Sequence, residues 1–344
     1  MRILLIGGTS FMGPAVAREL LAGGHTVAVY HRGQTERDVP EGVEHIHGER
    51  EALAENRPAL ERFAPDVAIH MIAMLEAHAA GFIEALSGLA ARGVVISSQD
   101  VYRAYGRIIG VEPGEPDPIP LTEDSPLRER LYPYRGAEPR AVDDPMRWMD
   151  DYDKIPVERL ALASATLPCA VLRLPAVYGP GDRQRRFHSF LRRMDDGRAV
   201  IPLDAGEADW RWTHAYVEDV AHAIALAALA PRSAGRVYNV GEERTPTLEE
   251  RALAVGAAAG WHGRVARVPA GRLPEAMRAG VDARQPLVSA SGRIRAELGY
   301  SEPTPLDIAY ARTIAWERAN PATDDDPAAF DYAAEDAALA EQDS

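Results

Sequence analysis

Lys154 is the only lysine among 38 basic side chains; the other 37 are arginines. On most surfaces either cation serves. A position that keeps an ammonium in such a chain points to a task a guanidinium cannot do. That task calls for a compact charge with three rotatable donors, not a planar fork. The plainer explanation is a coding bias that left one lysine by chance. A second cue stands at Gly7-Gly8-Thr9-Ser10-Phe11-Met12-Gly13, between the apolar run Ile3-Leu4-Leu5-Ile6 and a helical pattern. Gly7 allows a tight turn and Gly13 lets the helix pack close to the strand. The backbone N–H groups of Thr9, Ser10, Phe11 and Met12 are then placed to hold a pyrophosphate. Ser10 stands where the middle glycine of such turns falls, which narrows the approach.

The second apolar run ends in Tyr30-His31-Arg32-Gly33, with no acid to accept from both hydroxyls of an adenosine ribose. Arg32, beside His31, suits a 2′-phosphate instead, so NADP is expected, with NAD the alternative. Farther on, Gly181-Asp182-Arg183-Gln184-Arg185-Arg186-Phe187-His188 carries three arginines, and Trp210-Arg211-Trp212 sets one between two aromatics. Arginine forks suit phosphates and tryptophan faces suit rings. Arg183, Arg186 and Arg211 are therefore candidate substrate contacts; solvated arginines and interdomain packing are the plainer explanation. The ten histidines show neither H-x-x-x-H nor H-E-x-x-H, so no metal is expected. Cys169, the one cysteine, reads as a small buried hydrophobe with no disulfide to make.

The elements that must position these residues follow from periodicity. Strands are predicted at 2–6, 26–30, 43–46, 66–71, 93–97 and 170–174. Helices are predicted at 11–22, 76–91 and 154–165. Short strands alternating with longer helices make a parallel, doubly wound α/β sheet, and unbroken apolar strands imply burial on both faces. Further helices are expected near 217–230, 247–256, 289–298 and 305–317. Residues 103–147, rich in proline and charge, read as a long loop or lid. The expected organisation is a dinucleotide-binding domain at 1–180, a smaller and partly interleaved α/β substrate domain at 181–318, and an acidic tail at 319–344.

At 344 residues, with 46% hydrophobic and 26% charged side chains, the chain can bury a sizeable core. The net charge is −14, and residues 320–344 hold eight acids and no Lys or Arg. That balance does not suit a protein that binds nucleic acid by neutralising phosphates. Charge alone would leave the tail unstructured, whereas Phe330 and Tyr332 favour docking as a short helix. No run approaches the length of a membrane span and no secretory signal is evident, so a cytoplasmic protein is expected.

The pattern resembles the extended short-chain dehydrogenase/reductase family, the NAD-dependent epimerase/dehydratase group, over about residues 1–318. The Gly7–Gly13 turn is similar to the family's opening motif, in the atypical G-G-T-x-F-x-G form also seen in chloroplast stem-loop-binding proteins. Val94-Val95-Ile96-Ser97-Ser98-Gln99-Asp100-Val101-Tyr102 resembles the serine-bearing strand end. Leu172-Arg173-Leu174-Pro175-Ala176-Val177-Tyr178-Gly179-Pro180 is similar to the R-x-x-x-x-Y-G-P segment. Thr213-His214-Ala215-Tyr216-Val217-Glu218-Asp219-Val220-Ala221 and Val237-Tyr238-Asn239-Val240-Gly241 match two later motifs. The resemblance implies a Rossmann-like domain with a smaller C-terminal substrate domain. It also implies hydride transfer at a bound nicotinamide, and small-molecule substrates that are often nucleotide-activated sugars. Ala73, Ser97, Lys154, Leu174, Pro175 and Val177 are then expected beside the cofactor and Tyr102 beside the substrate. Pairing into a homodimer is compatible with the resemblance.

The family's chemistry uses a serine with Y-x-x-x-K. The tyrosine moves a proton, and the lysine lowers its pKa and holds the nicotinamide ribose. Lys154-Ile155-Pro156-Val157-Glu158 aligns with the lysine run, so the lone lysine falls on the catalytic position. Ser98 falls on the serine. Four residues before Lys154, however, stands Asp150, and Tyr152 is only two before. On a regular helix i and i+2 point apart. Pro156 favours a helix start near Asp153, which would leave Tyr152 on an irregular lead-in where it can turn inward. Three readings stand: Tyr152 as a displaced catalytic tyrosine, another acid such as Asp150 or a lid tyrosine, or lost hydride chemistry. The alternative function is a catalytically degenerate nucleotide-binding protein with a regulatory or RNA-associated role.

Overall fold

Ile3 and Leu5 face one side of a central sheet, Leu4 and Ile6 the other, and all four are buried. That alternation within an unbroken apolar run is what a strand covered by helices on both faces requires. The computed structural model describes residues 1–36, 38–278, 280–323 and 326–340. In chain order its first half contains β1 (Arg2–Ile6), α1 (Met12–Ala22), β2 (Thr26–His31), β3 (Glu44–His47), α2 (Arg57–Phe63), β4 (Val67–His70), α3 (Glu76–Leu86), β5 (Arg92–Ser98), α4 (Arg103–Ile108), α5 (Lys154–Ala163), β6 (Cys169–Leu174) and β7 (Ala176–Tyr178). There follow α6 (His188–Asp195), β8 (Val200–Asp204), β9 (His214–Tyr216), α7 (Val217–Leu229), β10 (Val237–Asn239), α8 (Leu248–Ala259), β11 (Arg264–Val268), α9 (Gly292–Leu298), α10 (Leu306–Ala319) and α11 (Tyr332–Ala340).

Among the described residues the main sheet has seven strands in the order β10-β6-β5-β4-β1-β2-β3. Every neighbouring pair is parallel. Helices α1 and α7 cover one face through Val16, Leu20, Val220 and Ile224. Helices α2, α3 and α5 cover the other through Leu60, Phe63, Phe82, Leu86, Val157 and Ala161. This is the Rossmann-like doubly wound sheet that the sequence predicts. Two small parallel pairs, β8–β11 and β7–β9, belong to the second half. Sequence periodicity does not show them, because three-residue strands such as β7 and β9 are too short to display a period of two. No helix among the described residues is long and apolar enough to cross a membrane.

Two further segments pack against this frame. Residues 103–147 begin with α4 and are anchored at several points. Arg103 pairs with Asp117 and Arg140 with Asp150, while Arg128 and Asp153 form a fully buried pair at 2.9 Å. Leu121 joins Tyr102, Ile108, Ile155 and Leu287 in a third core cluster. Beyond α4 the segment is irregular backbone that packs as a cover, in keeping with a long loop or lid. The tail docks as α11, and Arg193 bonds Glu335 with both Nε (3.0 Å) and Nη2 (2.7 Å). Both groups are buried.

Candidate functional site

The glycine turn closes as its residue types require. Gly7 has φ +76°, and a Cβ there would strike Ile72 at 2.4 Å; a Cβ on Gly13 would lie 2.4 Å from the backbone of Gly8. Phe11 precedes α1 at φ 50° and gives the helix no side-chain cap, nor is there an acid in its first turn. The leading N–H groups therefore have no side-chain acceptor, and a pyrophosphate fits the positive end they form. Gly181, three residues beyond β7, approaches this turn, its Cβ direction 3.4 Å from Cα of Phe11. Thr9 and Thr35 share a 2.8 Å hydrogen bond across the mouth. Ser10 is exposed, and Met12 is half-buried against the core. At the end of β2, Arg32 is exposed and has no hydrogen bond or ion pair among the described residues. The residues present thus fit a dinucleotide.

Lys154 opens α5, whose N-cap is Asp153: its side chain accepts from the N–H of Ile155. Tyr152 therefore lies on the irregular lead-in, as the helix start near Asp153 predicts. Lys154 is buried, and Nζ donates to the carbonyl oxygens of Ala73 (2.7 Å) and Ile96 (3.1 Å). Burial lowers its pKa to about 8. The Tyr152 ring centroid is 5.9 Å from Nζ, and the hydroxyl donates to Oδ2 of Asp100 at 2.6 Å. Burial first, then the Asp100 charge, pushes the phenol well up. Asp100 is itself raised by burial, against the pull of Tyr152, Arg128 and Lys154. Its backbone N–H donates to Oγ of Ser98 at 3.3 Å. Ser98 thus serves local capping while standing next to the Tyr152–Asp100 pair. Tyr134 and Trp148, from the 103–147 cover and the short turn after it, pack on Tyr152 at 5.5 and 6.0 Å.

Other expected residues separate. Ala73 meets Lys154 through its carbonyl. Leu174, Pro175 and Val177 lie where β6 gives way to β7, and the Val177 carbonyl accepts from Nε of Arg186 at 2.9 Å. Ser97 turns its hydroxyl inward, where it is buried and donates to Glu158 at 2.5 Å. Tyr102 also turns inward. It is fully buried, donating to Asn239 (2.7 Å) and accepting from Arg173 (3.1 Å), so it builds the core and not a substrate surface. Asp150 is held by the backbone N–H of Arg140 (2.8 Å) and its guanidinium, which keep its carboxyl below the usual range. It anchors the cover and offers no replacement acid.

A cleft of about 1040 Å³ is lined by Arg183, Arg185, Arg186, Trp210, Trp212 and Arg251 among others, with Pro321 and Phe330 of the tail on its wall. Arg186 lies over the Trp212 ring at 5.3 Å. Arg211 does not line this cleft; it lines a smaller one of about 640 Å³ with Glu242 and Arg295. Alternation along the chain explains this, since Trp210 and Trp212 share a side that Arg211 does not. Neither cleft is lined by Ser98, Tyr152 or Lys154.

Sequence reasoning missed Asp100, although it lies two residues beyond Ser98. It also missed a cluster of His31, Glu36, His45 and His47. The spacings tested for metal were helical, whereas His45-x-His47 is the strand spacing that puts two side chains on one face.

Comparison with known proteins adds the following. The model of the NAD dependent epimerase/dehydratase family matches residues 3–99 and 130–241, more than half the chain. The unmatched gap falls in the proline-rich cover. A curated relative, 2'-dehydrokanamycin reductase of Streptomyces kanamyceticus, is 28% identical over 230 residues, 65% of this chain. The match spans 57% of that relative's length. An epimerase of Methanothermobacter thermautotrophicus superposes with a TM-score of 0.68 at 18% identity, covering 93% of this chain and 92% of that one. The UDP-glucose 4-epimerase of Thermus thermophilus in complex with NAD gives 0.65 at 23%, covering 93% and 100%.

Proposed function

Since the chain belongs to the NAD-dependent epimerase/dehydratase family, we propose that it is an NAD(P)-dependent enzyme of the reductase, epimerase or dehydratase type. It transfers hydride between a bound nicotinamide and a small hydroxyl or carbonyl substrate, a nucleotide-activated sugar or related metabolite. The observation that carries this reading is Lys154. The one side-chain ammonium of the chain is buried at the carboxyl edge of the sheet, fixed by the carbonyls of Ala73 and Ile96, with the Tyr152 ring 5.9 Å away.

When bound, the cofactor supplies or accepts the hydride. The rest falls to the protein. The N-terminal turn of α1 holds the pyrophosphate, and Arg32 selects a 2′-phosphate, which favours NADP. The Tyr152–Asp100 pair manages one proton. A carbonyl oxygen gaining hydride takes it from Tyr152, and the reverse reaction returns it. Lys154 lowers the cost of the phenolate that forms, and Ser98 stands beside the pair to orient the substrate oxygen. Arg183 and Arg186 hold an anionic part of the substrate, and the Trp212 face holds a ring. The Streptomyces relative is named as a reductase, which supports reduction among the three outcomes.

A second reading is a nucleotide-binding protein without redox chemistry, with a regulatory or RNA-associated role. It is favoured by the packing of Tyr134 and Trp148 on Tyr152. A panel of keto-sugars and sugar nucleotides, followed by NADPH absorbance and by product analysis for redox-neutral turnover, separates the two. Turnover that is lost in Lys154→Arg supports the enzyme. Dinucleotide binding with no turnover across the panel supports the second reading.

A further inference from the structure

His31 is the last residue of β2, and its parallel partner in register on β3 is His47. His45 lies two residues earlier on β3, so strand alternation sets all three imidazoles on one face of the sheet edge. Glu36 returns to them from the turn after β2. Nε2 of His31 lies 2.8 Å from Nδ1 of His45 and 3.6 Å from Oε1 of Glu36. Glu36 Oε1 is 2.9 Å from Nε2 of His47 and 3.9 Å from Nδ1 of His45. All four donor atoms fall within 4.8 Å of one another.

Bonds of about 2.0–2.1 Å in a tetrahedral zinc site set donor atoms about 3.3 Å apart. The separations here bracket that value without any ion to gather them. The donor set is three neutral-capable imidazoles and one carboxylate, which suits a borderline cation of the zinc class and not calcium or magnesium.

We propose that His31, Glu36, His45 and His47 form a four-ligand site for a zinc-class divalent cation at the β2–β3 edge. Four protein donors close the coordination sphere, so the ion ties the 33–36 turn to the sheet and performs no chemistry. The proposal does not depend on hydride transfer. Loading carries a defined proton movement. The N–H of Gly33 donates to Nδ1 of His31 at 3.1 Å, so the metal-free ring carries its proton on Nε2. Ligation through Nε2 moves that proton to Nδ1 and turns the Gly33 amide away, which a glycine at φ +75° permits.

The test uses the full chain without an affinity tag, stripped with chelator, loaded with zinc chloride, desalted and counted by elemental analysis. Cobalt(II) is the optical probe. The expected result is one retained equivalent, an intense tetrahedral cobalt band, and a melting temperature raised by zinc. His45→Ala combined with His47→Ala should retain none, lack the band and show no zinc-dependent shift. Its unliganded melting curve, matched to the unliganded wild type, excludes misfolding. Glu36→Gln is the second variant, conservative in shape, and should weaken retention at least tenfold. Equal retention by the wild type and the double variant, or far less than one equivalent in the wild type, would mean an adventitious ion only and would overturn the site.

Discussion

The hydroxyl of Tyr152 donates a 2.6 Å hydrogen bond to the carboxylate of Asp100, and both side chains are buried. Four residues before the lysine, where the family's tyrosine would stand in sequence, the chain has Asp150 instead. A Tyr152→Phe variant should lose about 100-fold to 10,000-fold in turnover, the range of a removed acid–base group. Dinucleotide affinity should stay within about twofold, since the hydroxyl carries the proton and not the cofactor. NADPH consumption and calorimetry measure the two. Asp100→Asn removes the charge that raises the phenol, so the alkaline limb of any surviving pH–rate profile should move to lower pH.

Arg32 is exposed at the end of β2 and has no partner among the described residues. Replacing it with glutamate removes a phosphate partner and supplies an acceptor for ribose hydroxyls. A charge-assisted hydrogen bond contributes about 1.5–3 kcal/mol, so NADP affinity should fall roughly tenfold to a hundredfold. NAD affinity should hold or improve. Calorimetric titration with both cofactors reads the switch.

Arg193 meets Glu335 inside the molecule and also donates to the carbonyls of Ser189 and Ala329, both at 2.7 Å. Glu335→Ala strands a buried guanidinium. Removing one partner of a buried pair costs about 3–5 kcal/mol. Urea denaturation should show a loss of that order, and α11 should become the first segment cleaved in limited proteolysis.

Glu317 is buried on α10, and neither carboxylate oxygen has a hydrogen-bond partner of good geometry among the described residues. Burial raises its pKa to about 7 from the usual 4.5. The folded state therefore binds more protons than the unfolded chain between these values, and stability falls as pH rises through that window. The contribution is a cost fully present above about pH 7 and absent below about pH 4.5. Glu317→Gln should be more stable than wild type at pH 8 by about 3 kcal/mol, and close to it near pH 4.5. Melting curves at the two pH values check the sign.

The long unbroken strands and the amphipathic helices between them were legible because their periods run over several residues. The glycine turn was legible because each glycine answers a steric demand. Tyr152 was placed on the lead-in to α5 by Pro156 alone. Its hydroxyl partner was not legible, because Asp100 reaches it from another strand end, 52 residues away in the chain. Tyr102 and Ser97 read as functional from their motif, yet long-range partners, Asn239 and Glu158, take their hydroxyls into the core. The histidine cluster was overlooked because only helical spacings were tested, and its third imidazole comes from a neighbouring strand.

The scarcity of lysine has a practical consequence. Reagents that acylate side-chain amines find one target in this chain, and it is 4% exposed. Lysine-directed proteases likewise have one peptide bond to cut, at the first turn of α5. Labelling or cleavage at Lys154 would therefore report a single event, the parting of α5 from the carbonyls of Ala73 and Ile96. The residue proposed for the chemistry doubles as a built-in reporter of when its own surroundings open.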